Sequence, residues 1–242
     1  MNRDLSQRIE SLFNEHKGNY GSPRIHAALR REGVTVNHKR VARLMRESGL
    51  VGKAGCLYRR KAAPGKFYTK MPNLRLGLGK PTKPDQQWVG DLTYLKVGGD
   101  WRYLAVVMDL YSRRIVGWSL GAYKTSELTR EAIRQALRHR TVSPGLIFHT
   151  DRGSEYGAYL MQDELERVGI QSSMNRPGRV TDNAHMESFF RSMKTECITE
   201  VVFSSESELR RALSGYFDYY NGCRYHSGIG YTTPIEYETM AA

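Results

Sequence analysis

Cysteine is scarce in this 242-residue chain: Cys56, Cys197 and Cys223 are odd in number and far apart. That rules out a disulfide framework and any Cys-x-x-Cys zinc clip, and it fits a reducing cytosol. No apolar run approaches the roughly 18 residues of a membrane-spanning helix. The opening MNRDLSQRIE has no apolar stretch after its first charges, so no secretory signal is expected. Acidic residues are scarce in one region only. Residues 1–84 hold 5 Asp and Glu against 19 Lys and Arg, whereas residues 85–242 hold 20 against 18. The formal charge of +12 therefore comes wholly from the first third. A 40% hydrophobic and 10% aromatic content is enough for a real core and excludes a disordered or collagen-like chain. The length suits one large or two small domains. The charge break near Pro84 places a polyanion-binding module ahead of an ordinary globular domain, although a ribosome- or membrane-surface role would carry the same imbalance.

In the basic third, Ser22-Pro23 puts a cap residue before a proline at the first helical position, and Ile25, Ala28 and Leu29 recur at helical spacing. Gly33 ends that helix, and Asn37 can cap a second one with Val41, Leu44 and Met45 as its buried stripe. Lys39, Arg43 and Arg46 are spaced by four and three on the second helix, so they form one exposed basic stripe. A helix-turn-helix needs such a pair of helices to sit on DNA, and a plain helical hairpin with a solvated face has the same pattern. Residues 1–51 are expected to be this basic helical segment. Residues 52–84, with Gly52, Gly55, Pro64, Gly65, Pro72 and the run Arg59-Arg60-Lys61, lack periodicity and read as a basic linker laid along a phosphate backbone or as a free tether.

From Gln87 the pattern turns to strands. Trp88–Val97 alternates, Gly98-Gly99 is a two-residue hairpin turn, and Trp101–Met108 returns. Arg114–Leu120 is a third strand, Leu146–His149 a short buried one and Ile170–Met174 a fifth. Helices are expected after Thr125 or Ser126, over Ala158–Val168, from near Asp182, and from about Glu206 to Tyr220. Three antiparallel-type strands followed by alternating helix and strand describe an α/β fold, a mixed five-stranded sheet with flanking helices over residues 85–242.

Three carboxylates stand at telling places. Asp91 lies inside an apolar strand, Asp151 directly follows the buried strand LIFHT, and Glu187 is on a helix. A carboxylate in an apolar strand costs free energy unless it is paired or bound to a cation. Three brought together would repel unless a divalent ion neutralised them, and oxygen-only ligation favours Mg²⁺ or Mn²⁺ over zinc. On the third helix Met186, Phe189, Phe190, Met193 and Cys197 form the buried stripe, with Asn183, Glu187, Arg191 and Lys194 on a neighbouring one. Taken alone, Glu187 with Arg191 is equally an ordinary surface pair. Asp109 reads as a turn residue paired with Arg113 or Arg114, Glu155 as solvent-facing, Asp182 as a helix cap and His149 as a hydrogen-bonded core histidine. The tyrosines from Tyr216 to Tyr237 are explained by packing of the last helix, and Arg224 with His226 is a loose candidate for phosphate contact.

WVGDLTYL around Asp91, HTDRGSEY around Asp151 and DNAHMESFFRSMKTE around Glu187 closely resemble the integrase core of bacterial insertion-sequence transposases of the OrfB type. Asp151 and Glu187 are separated by 35 residues, the spacing of the D,D,35,E signature, and Lys194 occupies the position of that group's signature Lys or Arg. YGSPRIHAALRREG and YFDYYNGCRYHSGIGYTTPIEYE are similar to the family's helical DNA-binding and C-terminal segments, so the likeness runs from Gly18 to Glu238.

The resemblance implies a ribonuclease-H-like fold preceded by a small helix-turn-helix-like segment. It implies a transposase that cleaves DNA strands and transfers them, with Asp91, Asp151 and Glu187 holding two Mg²⁺ ions for which Mn²⁺ can substitute. Lys194, Arg191 and Asn183 would position the end DNA while Lys39, Arg43 and Arg46 bind flanking duplex. The implied partners are double-stranded DNA, the OrfA product or an OrfAB fusion, and further copies of the chain on DNA. The implied setting is a bacterial cytoplasm, with no membrane. The alternatives are a nuclease of the same fold without strand transfer, and a non-catalytic DNA-binding regulator.

Overall fold

The computed structural model describes residues 2–53 and 71–240. The run Arg59-Arg60-Lys61, Cys56, Gly55, Pro64 and Gly65 lie outside the described residues. The N-terminal segment is a three-helix unit: α1 (Asn2–Glu15), α2 (Ser22–Arg31) and α3 (His38–Glu47). Its core joins Ile9 and Leu12 of α1, Tyr20, Ile25 and Leu29, and Val41, Leu44 and Met45 of α3. Asn37 caps α3 as expected, its side chain accepting from the Lys39 amide at 2.8 Å. Gly33, at φ +80°, ends α2. Ser22 is itself helical, and Gly21 takes the cap position without a side-chain bond. The first helix was not foreseen.

The second unit is one five-stranded sheet in the order β3-β2-β1-β4-β5. Its strands are β1 (Gln87–Val97), β2 (Asp100–Asp109), β3 (Ile115–Gly121), β4 (Ile147–Thr150) and β5 (Gln171–Met174). The first three are antiparallel neighbours, and β4 and β5 add in parallel. The helices are α4 (Ser126–Leu137), α5 (Ser154–Gly157), α6 (Tyr159–Arg167), α7 (Ala184–Met193), α8 (Glu206–Gly222) and α9 (Pro234–Thr239). Thr125 caps α4 through its hydroxyl.

Alternation along β1 divides the core in two. Trp88 and Leu92 face α4 and α6, with Ala132, Ile133, Met161 and Leu165. Val89, Leu95 and Val97 face α7 and α8, with Met186, Phe189, Leu213 and Phe217. Close contact on the α4 side requires glycine at position 117, where a Cβ would fall 2.2 Å from the Ala132 carbonyl oxygen.

Part of the expected linker is built into this unit. The Pro72 carbonyl accepts from the Met174 amide, the Leu74 amide donates to the Ser173 hydroxyl, and Arg75 reaches Gln87 and the Asp182 carbonyl. The three-helix unit docks on the C-terminal residues. The Tyr20 hydroxyl donates to the Cys223 carbonyl and accepts from the Tyr225 amide, and Arg24 donates to the Tyr225 carbonyl. No helix among the described residues is long and apolar enough to cross a membrane.

Candidate active site

The site lies where β4 stops and β1 runs on without it. β4 pairs with Gln87, Trp88 and Val89 only, in a register that sets Val89 opposite His149. Carried two residues further, that register puts Asp91 level with Asp151. Neighbouring strands are about 4.8 Å apart, and paired residues of a sheet point to the same side. For Asp91 that side is the α7–α8 face, because its cross-strand partner Val106 and its alternation mates Val89 and Leu95 belong to that core. Asp91 is 5% exposed, and its Oδ1 accepts from the Leu92 amide at 2.7 Å. Asp151, the first residue past β4, accepts from the Gly153 amide at 2.9 Å, which shapes the turn into α5. Arg152 braces the same turn through the carbonyls of Asn175 and Met71.

The third carboxylate arrives on α7. A 3₁₀ turn over Val180–Asn183 leads into that helix. Asn183 Nδ2 donates to the Gly90 carbonyl at 3.0 Å, so the start of α7 is fixed to β1 one residue before Asp91. Glu187 follows one helical turn later, about 6 Å along the axis. It is exposed, beside a buried stripe of Met186, Phe189, Phe190 and Met193. Among the described residues no three Asp, Glu, His or Cys side chains converge closely enough to hold one cation. Asp91 and Asp151 thus each follow the last β1–β4 pair by two residues, and Glu187 rides the helix pinned to β1 at Gly90, without the three side chains closing on one point.

Of the basic candidates, Arg191 is exposed, and Lys194 places Nζ 5.0 Å from the centre of the Tyr94 ring. Tyr94 lies on the part of β1 beyond β4. Asn183 departs from its stripe-mates: it is 3% exposed, with Oδ1 buried and unpartnered, because its amide is spent on the strand. On α3, Lys39, Arg43 and Arg46 are all exposed, and Arg43 faces Glu47 only at 3.7 Å.

His149 is a core histidine, as expected. Its Nε2 donates to Asn175 Oδ1 and its Nδ1 accepts from the Ser173 hydroxyl, both at 2.8 Å. Burial pulls its pKa down to about 4, so the ring is neutral. Asp109 is a turn residue that pairs with both arginines through the backbone, its amide donating to the Arg114 carbonyl and its carbonyl accepting from the Arg113 amide, while its carboxylate accepts from the Ser112 amide and hydroxyl and the Asp85 amide. Burial pushes its pKa up.

Three expectations are corrected. Glu155 does not face solvent: it is 4% exposed and pairs with Lys124 at 2.9 Å, beside the Asp151 turn. Asp182 caps nothing. Its carboxylate accepts from Arg176 and Asn73, and Arg176 holds its pKa well below the usual carboxylate range. Arg224 and His226 are buried. Arg224 grips Glu196, His226 sits against the Tyr220 carbonyl, and burial takes the His226 pKa down to about 3. Tyr216 and Tyr220 pack in the α8 core as expected, while Tyr225 joins the three-helix unit. Tyr94 and Glu196 were not singled out as functional from the sequence, and Glu155 was expected to face solvent. All three lie inside the motif stretches, where the only signal was position relative to Asp91, Asp151 and Glu187.

Residues 81–180 and 168–234 match the integrase core domain family, and residues 1–61 match the HTH-like domain family. The chain is 41% identical over 239 residues to the transposase for insertion sequence element IS904 of Lactococcus lactis, covering 97% of this chain and 93% of that protein. The chain belongs to the insertion-sequence transposases. The transposase InsF for insertion sequence IS3A of Escherichia coli is 38% identical, covering 95% of this chain and 80% of its own length. A chain of the simian T-cell lymphotropic virus intasome, at 19% identity and TM-score 0.58, covers 96% of this transposase and 74% of the viral chain, which shows a shared integrase-like fold. This transposase is therefore a DDE-type enzyme acting on DNA, built on a ribonuclease-H-like sheet behind an HTH-like unit.

Proposed function

We propose that Asp91, Asp151 and Glu187 are the catalytic triad of this transposase and its metal ligands, holding two Mg²⁺ ions for which Mn²⁺ can substitute. The observation that carries this is the Val89–His149 register, which ends two residues short of Asp91 and Asp151, together with the Asn183–Gly90 bond that anchors Glu187's helix to β1. The donor set fits the ion. The three candidate ligands are carboxylates, the nearby His149 has both nitrogens engaged, and oxygen-only sites suit Mg²⁺ or Mn²⁺. Bound there, divalent ions act as Lewis acids on the attacking and leaving oxygens of a phosphodiester.

The chain's own part is to hold and aim the DNA. Arg191 and Lys194, one and two turns past Glu187, grip the phosphates beyond the reacting one. Asn183 positions the helix that presents them. Lys39, Arg43 and Arg46 of α3 bind flanking duplex through its phosphates. The nucleophile is water for cleavage and a DNA 3′-hydroxyl for strand transfer, so no Ser or Tyr nucleophile is required. We infer that the chain works with an OrfA product or OrfAB fusion, as several copies on DNA, in the bacterial cytoplasm and nucleoid.

Labelled transposon ends incubated with Mg²⁺ test this. Wild type yields nicked and joined products, whereas Asp91→Asn, Asp151→Asn and Glu187→Gln yield neither and still bind DNA. Wild-type-like joining by any one of them removes that residue from the triad. Nicks without joining by the wild type would leave a nuclease, and DNA binding without Mn²⁺ uptake would leave a regulator.

A further inference from the structure

Glu196 closes the stretch DNAHMESFFRSMKTE and sits on a π-helical turn, Lys194–Ile198, that continues α7. Its side chain is 5% exposed. Arg224, itself 4% exposed, clamps it with Nε 2.8 Å from Oε2 and Nη2 2.6 Å from Oε1. The Tyr216 hydroxyl donates to Oε2 at 3.0 Å, and Arg24 of α2 brings Nη1 to 3.9 Å. One buried carboxylate thus gathers the end of α7, helix α8, the C-terminal tail and the three-helix unit. A two-residue step along a helix turns a side chain roughly halfway round the axis. Lys194 therefore reaches Tyr94 while Glu196 points the other way, into the junction. Buried ion pairs are weak sources of stability, and their best-attested use is to fix register.

We propose that Glu196 is a positioning residue that locks the three-helix unit and the C-terminal tail to the helix carrying Glu187, Arg191 and Lys194. The basic side chains of α3 and of α7 then grip one DNA end at a fixed separation. This rests on the reading of Arg191 and Lys194 as DNA contacts.

The test is the salt dependence of end-duplex binding by the full chain, read by fluorescence anisotropy without metal, so that the triad plays no part. Each phosphate contact contributes about 0.9 to the slope of log affinity against log salt, so losing two lowers it by about 1.8. Between roughly 50 and 200 mM NaCl, that variant loses about twelve-fold less affinity than wild type. The Arg191→Ala/Lys194→Ala double variant is expected to show this drop. Glu196→Gln is expected to show the same drop with Arg191 and Lys194 in place, and combining all three changes to lower the slope no further.

A wild-type slope in Glu196→Gln beside a lowered one in the double variant overturns the proposal. Fewer binding-competent molecules at an unchanged slope, the mark of a merely structural role, overturns it too. An unchanged slope in the double variant takes down the DNA-contact reading and the proposal with it. Should Glu196→Gln fail to fold by circular dichroism, Arg24→Gln, which leaves the Glu196–Arg224 pair intact, has to lower the slope. If it does not, the proposal fails.

Discussion

Replacing Asn183 probes how α7 is held at the site. Its Nδ2 donates to the Gly90 carbonyl, while its Oδ1 is buried without a partner. Asn183→Ala removes one buried hydrogen bond and leaves the Gly90 carbonyl unsatisfied, a cost of about 1–3 kcal/mol. It also deletes an oxygen that was desolvated for nothing, so the lower half of that range, about 1–2 kcal/mol, is expected. For a chain of this size that lowers Tm by about 2–8 °C. Asn183→Asp keeps the shape but replaces the donor with an ionised oxygen facing a carbonyl, next to the Asp91 strand, and adds several kcal/mol of buried-charge cost. The introduced carboxyl titrates above its unfolded pKa in the folded chain. Its neutral form can donate to Gly90, so the stability deficit is present at neutral pH and shrinks as pH falls through that raised value. Urea denaturation at pH 7 and pH 5 reads both effects. The three-helix unit is expected to keep its fold, because it has its own core, and strand transfer is expected to drop. Asn183→Asp as stable at pH 7 as Asn183→Ala would refute the claim that this amide pins the helix.

Two further substitutions test the surroundings. A Cβ at position 90 would meet the buried Phe148 ring at 2.4 Å, so Gly90→Ala is expected to destabilise by about 1–3 kcal/mol in thermal melts; an unchanged Tm would mean that Phe148 moves aside freely. Arg176 depresses the Asp182 pKa, so the stability from this pair is full above the ordinary carboxylate pKa and is lost as pH falls below it. Asp182→Asn is therefore expected to destabilise at pH 7 and progressively less below about pH 4, in urea titrations at each pH. An equal cost at pH 7 and pH 3 would exclude the ion pair as its source.

Local signals in the chain carried most of the architecture. Asn37 followed by Val41, Leu44 and Met45, and Gly98-Gly99 between alternating strands, are short-range patterns that need no tertiary information. Asp91 stood out as a candidate because a carboxylate within an apolar strand needs a partner or a cation. Helix α1 was equally legible, since Leu5, Ile9 and Leu12 recur at helical spacing among charged residues, but the expectation for residues 1–51 did not separate it. Glu155, Asp182, Arg224 and His226 were misread for a different reason. Their environments are set by Lys124, Asn73, Glu196 and Tyr220, brought in by folds of the chain that periodicity does not encode. The folding of residues 71–79 onto β5 belongs with them, since a Gly- and Pro-rich composition says nothing of what the backbone meets.

The claim on which the rest depends is that Asp91, Asp151 and Glu187 act as one site for divalent cations. Isothermal titration of the full chain with Mn²⁺ addresses it without requiring turnover. Two Mn²⁺ per wild-type chain are expected, with at least one lost or greatly weakened in each of Asp91→Asn, Asp151→Asn and Glu187→Gln while the fold is intact by circular dichroism. Wild-type stoichiometry and affinity in all three variants would contradict the account.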